Sequence, residues 1–147
     1  MRFDTDLWLR RLKEVEREFL ATKFATQDTL RRVRLDPCVL VNGVKTVDLV
    51  RSVDNLDGTF TVRIFSVFET GLREYWSVVR RKDSPSRARD LIVGTAAYCR
   101  IPADREAETH SIREYRNYLV HERDDDFVPL SLDRTRHHLC FFLSFLR

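Results

Sequence analysis

Apolar side chains recur at three- and four-residue steps through most of the chain, the spacing that gathers one face of a helix. Trp8, Leu12, Val15 and Phe19 follow it, and Asp4 or Asp6 stands where a cap is needed. A first helix is therefore predicted from there to about Phe24. The stripe Phe65, Phe68, Leu72, Tyr75 or Trp76, and Val79 predicts another, beginning at Asp57 or Thr59 and stopping at Arg81-Lys82-Asp83-Ser84-Pro85. A third carries Leu91, Ile92, Thr95 and Tyr98 and ends before Ile101-Pro102. The fourth starts around Asp104 to Ala107 and continues through His121. After a polar turn, Arg123-Asp124-Asp125-Asp126, Ser131 caps a fifth helix with Leu132, Thr135, Leu139, Phe142 and Leu146 in step.

Residues 25–56 do not follow this rhythm. Asp36-Pro37 interrupts any helix there. Asn42-Gly43, flanked by Val39-Leu40-Val41 and Val44, has the signature of a tight hairpin turn. A lone two-stranded hairpin is marginally stable, so the segment reads as an irregular connection with a short helix over Thr46 to Val53. The fold class is all-α: a single domain over 1–147, built as a four- to five-helix up-and-down bundle.

Composition agrees. Four Gly and four Pro in 147 residues leave little material for the frequent turns of a sandwich or barrel. Hydrophobic residues are 43%, too many for a disordered chain. The net charge of +3 permits a nucleic-acid partner without requiring one. Three Cys without paired spacing argue against a disulfide framework or a zinc site, and no metal or cofactor is expected. No apolar run approaches the roughly 18 residues of a membrane span. The expectation is a soluble cytoplasmic protein with no membrane partner. Apolar residues lie on more than one side of the fifth helix, Phe141 and Phe145 beside the main stripe. They predict an apolar edge near this helix or the fourth, covered by a second copy in a two-fold dimer.

The fourth helix carries the chemistry. Ile112, Tyr115 and Leu119 make its core stripe, while Arg113, Asn117 and His121 fall on a line roughly opposite. Arg116 stands at the edge of the stripe, where its stem can pack while its guanidinium reaches outward. On spacing alone the plainer reading is a solvated polar face. Yet the run Arg116-Asn117-Tyr118-Leu119-Val120-His121 resembles the signature of the HEPN superfamily: an Arg, a polar residue, then a His a few residues on. Residues 65–76 look like the long helix that precedes the motif in such domains, and Ser131 to Leu146 like the helix that closes them.

The resemblance, over roughly residues 57–147, implies a small helical domain that commonly dimerises to bring two motifs into one cleft. Many such domains are metal-independent ribonucleases, often the toxin of a toxin–antitoxin pair or an antiviral effector. Others are inactive RNA- or nucleotide-binding or interaction modules. Carried onto this chain, Arg116 and His121 are the catalytic pair with Asn117 beside them. RNA, a second copy and an antitoxin protein are the implied partners. In one branch a Tyr two residues after the His accepts an adenylyl group; Arg123 stands there instead, which puts that regulation in doubt.

Cleavage by a ribose 2′-OH suits these residue types. An imidazole moves protons near neutral pH, and a guanidinium holds two phosphoryl oxygens where charge grows. Arg113 and the Arg80-Arg81-Lys82 run are candidate RNA contacts. The latter, with Arg87 and Arg89, can track phosphates or simply end a helix with favourable charge. Arg31, Arg32 and Arg34 form a second basic run. His137-His138 read as packed or surface histidines, Asp124-Asp125-Asp126 as a solvated loop, and Cys99 and Cys140 as core thiols. A non-catalytic interaction module is the alternative function. A helical DNA-binding protein is the weaker third, because no glycine-turned helix-turn-helix is visible.

Overall fold

The computed structural model describes residues 2–121 and 127–146, and among them it contains helices and no strand. The helices are α1 (Thr5–Leu35), α2 (Thr46–Asp54), α3 (Leu56–Tyr75), α4 (Ala88–Cys99), α5 (Ala103–His121) and α6 (Leu132–Leu143). A single 3-10 turn, Pro37–Val39, follows α1, and a wide π turn, Trp76–Arg80, extends α3. None is long and apolar enough to cross a membrane. The polar turn expected at Arg123 to Asp126 lies outside the described residues.

Four of the helices alternate in direction. Trp8 of α1 lies against Gly71 of α3, and Phe19 meets Phe60 further up, so the two run antiparallel. Leu119 of α5 lies against Gly58 at the start of α3, which makes α5 antiparallel to α3 as well. The Arg136–Glu16 and His138–Glu108 pairs set α6 antiparallel to both α1 and α5. The stripes read from periodicity face inward: Leu12, Phe65, Phe68, Leu72, Leu91, Leu139 and Phe142 are fully buried. Gly71 is required by this packing, because a Cβ there would stand 2.9 Å from the Trp8 ring.

The first helix departs from expectation. Asp4 caps it by accepting from the Leu7 N–H at 3.0 Å, but the helix continues past Phe24 to Leu35 before Asp36-Pro37 stops it. Its second half keeps only one buried residue, Val33, so the inward periodicity that would reveal it is missing. Arg31, Arg32 and Arg34 stand on this exposed limb, two of them paired with Asp28. The Asn42-Gly43 turn exists, with φ of 59° and 75° and Val44 N–H donating to Val41 C=O. It leads into α2 rather than a hairpin strand.

The expected apolar edge on α6 is largely closed from within. Phe141 and Phe145 meet edge to face at 5.6 Å, and the Arg105 guanidinium lies 4.4 Å over Phe141. Phe141 is left 38% exposed, against 71% for Phe24 on α1. On the motif helix α5 Val120 stays exposed, and the larger exposed apolar side chains are on α1.

Scarce glycine has a local cost. Arg81 and Arg100 end their helices in the left-handed conformation, with φ of 51° and 55°. That region costs a residue with a Cβ roughly 1–2 kcal/mol. Arg100→Gly is expected to raise stability by about 0.5–1 kcal/mol after glycine's greater chain entropy is set against the relief. Thermal unfolding checks it, and a lowered Tm would show that the arginine side chain contributes more than its backbone loses.

Candidate functional site

The site is the C-terminal half of α5 with the elements beside it. Ile112 and Tyr115 point into the core, as the stripe requires, and Leu119 is half-buried against Gly58. This anchoring turns the motif residues toward the helix flank. Arg116 is half-buried: its guanidinium carbon lies 5.5 Å from the Phe65 ring centre, and Nη1 donates to Asn117 Oδ1 at 3.0 Å. The expected outward reach is only partial, because the guanidinium is drawn over the face of the aromatic ring. Its Nε is buried and has no hydrogen-bond partner among the described residues, and no described carboxylate pairs with the group. His121 is exposed in the last turn, one turn beyond Asn117.

Arg113 departs from the solvated line assigned to it. Its side chain is 15% exposed, bonded to the neighbouring Glu114 carboxylate, with Nε donating to His110 Nδ1 at 3.4 Å. His110 lies 3.6 Å from Glu106 as well. Burial and the Arg113 charge hold the His110 pKa below its ordinary value. Arg113 is thus committed to its own helix. The Glu106–His110 pair escaped the sequence reading, although its four-residue step was visible.

Tyr115 was read as a core residue, but its stack with Tyr118 and Phe127 also escaped the sequence reading. Their rings lie nearly parallel, with Phe127 5.5 Å from each tyrosine. Only chain folding brings Phe127 back over α5. Beside this stack opens a cleft of about 880 Å³ between the start of α3, Tyr115 and Leu119 of α5, and residues 129–131. Asp54 and Asp57 line it, and among the described residues no cation does. Burial and the Asp57 charge push the Tyr115 hydroxyl pKa up. A phosphate is disfavoured in that cleft.

The Arg80-Arg81-Lys82 run is not part of the same surface. It closes the far end of α3, while Arg116 lies over Phe65 and Leu119 touches the near end, so about 20–30 Å of helix separates the clusters. Arg80 lies between the Trp76 and Tyr98 rings, 4.0 and 4.6 Å from their centres. Arg81 and Lys82 are exposed and border a polar hollow with Ser77, Asp83 and Ser84. Arg73 pins the following loop through Ser84 Oγ and the Pro85 and Ser86 carbonyls.

The remaining groups take their plainer places. His138 is packed, with Nδ1 2.8 Å from Glu108 on α5. Cys99 donates to the Tyr75 hydroxyl at 3.2 Å, and burial pushes both groups' pKa values up, as it does for Cys140. Among the described residues no His, Cys, Asp and Glu gather as a metal site would require. No protein-family model, curated protein or solved structure matches the chain.

Proposed function

We propose that this chain is a metal-independent endoribonuclease of HEPN type that cleaves single-stranded RNA by attack of a 2′-OH on the adjacent phosphodiester. The observation that supports this reading is the arrangement of the motif: Arg116 joined to Asn117, free of described carboxylates, with His121 exposed one turn on. His121 takes the proton from the 2′-OH as the 2′ oxygen bonds to phosphorus. The bond to the 5′ oxygen then breaks, and that oxygen takes a proton from water, leaving a 2′,3′-cyclic phosphate and a 5′-OH. Arg116 stabilises the negative charge that builds on the phosphoryl oxygens. Asn117 orients Arg116. A toxin or defence role, with an antitoxin as controlling partner, goes with the family resemblance.

One observation favours a second reading, a non-catalytic RNA- or nucleotide-binding or interaction module. The buried Arg116 Nε and the Phe65 ring beneath it would equally suit an arginine that packs the bundle. The two readings separate in one assay: purified protein with labelled single-stranded RNA and DNA of matched sequence, in the presence of a chelator. Cleavage of RNA with DNA left intact is expected, since DNA lacks the 2′-OH. RNA bound but left whole would move the protein to the second reading.

A further inference from the structure

Helix α1 carries two apolar stripes, and only one is used by the fold. Trp8, Leu12, Val15, Phe19 and Val33 face the core. Leu20, Phe24 and Leu35 face water, 56%, 71% and 89% exposed. At about 100° per residue these three, together with Arg31, fall within a band about 60° wide on the far side of the helix from the core. The four exposed valines between positions 39 and 47 adjoin its end. Together these side chains present on the order of 800 Å² of apolar surface, the share one partner brings to an interface of standard size. That exceeds the largest patch usual on a monomer.

The order of residues along the stripe says what covers it. Read from either end, it gives a leucine, then after four residues one half of an aromatic–guanidinium pair, then a polar centre. Leu20 and Leu35, Phe24 and Arg31, and Gln27 and Asp28 are equidistant from one point between the last two. A two-fold axis through that point sets each residue opposite its counterpart, as a self-complementary interface requires. We propose that the second half of α1 pairs antiparallel with α1 of a second copy of this chain. Leu20 packs on the partner's Leu35, and Phe24 stacks on the partner's Arg31.

Light scattering after size exclusion, at tens of micromolar, is expected to give twice the chain mass. Phe24→Glu and Leu35→Glu are expected to give monomers with unchanged circular dichroism, since neither side chain contributes to the core. Disulfide trapping reads the register, in a Cys38→Ser background. Gln27→Cys at the axis is expected to cross-link to its own copy. Leu20→Cys alone is not, and Leu20→Cys with Leu35→Cys is. A monomeric wild type, or a dimer that survives both glutamate variants, overturns the proposal. Cross-linking of Leu20→Cys alone means a parallel pair and overturns it too. None of these outcomes depends on whether the protein cuts RNA.

Discussion

His121→Ala is expected to lower the rate of RNA cleavage by about 10²–10³, with little change in RNA affinity and none in Tm. The imidazole is exposed in the last turn of α5 and contributes nothing to the core, so its loss removes the proton acceptor and leaves the fold. Arg116→Ala is expected to lose a similar factor by removing charge stabilisation. Arg116→Lys should recover little, because an ammonium offers a point charge in place of a planar fork. Arg116 also packs on Phe65, so Tm is measured alongside. A twofold loss for both alanine variants would sink the catalytic assignment. A large fall in Tm for Arg116→Ala with cleavage intact would make the arginine structural.

Phe68→Ala is expected to destabilise the protein by about 3–5 kcal/mol. Phe68 is fully buried on α3, with its ring 5.5 Å from Phe142 of α6 and 5.8 Å from Phe65. Alanine leaves a cavity that three helices must close or tolerate. At 2–4 °C per kcal/mol for a chain of this size, Tm should fall by about 10 °C. Urea unfolding provides the free energy directly. A loss below about 1 kcal/mol would mean that α3 and α6 repack far more freely than close-packed cores allow.

The helices of the second half of the chain were legible because each buries one stripe and meets a clear stop. Leu132, Thr135, Leu139, Phe142 and Leu146 are all buried as their spacing implied. The second half of α1 was not legible, because Leu20, Phe24 and Leu35 break the inward rhythm by facing the other way. The Asn42-Gly43 turn was readable as a turn. What it joined was not, since the same dipeptide serves a strand pair or a helix start. In the candidate site, helical spacing alone places Arg116 at the edge of the buried stripe and Asn117 and His121 on the side away from it. The commitment of Arg113 to Glu114 and His110 depends on side-chain choices that spacing cannot rank. The separation of Arg80-Arg81-Lys82 from the motif depends on which end of α3 meets which end of α5, information carried by packing rather than by any local pattern.

The wide turn at Trp76–Arg80 fits one more residue into a helix turn than an α-helix holds. Such a turn is the form a single-residue insertion takes when a helix absorbs it without breaking. Deleting one residue there would restore the ordinary winding and leave the chain beyond it close to where it now stands. Arg80 could keep its place between Trp76 and Tyr98, and Arg73 its hold on the following loop, if the residue removed were Ser77 or Val78. The turn is thus a reserve of length at the end of α3: one residue can go from it while Gly94 of α4 stays against the Trp76 ring.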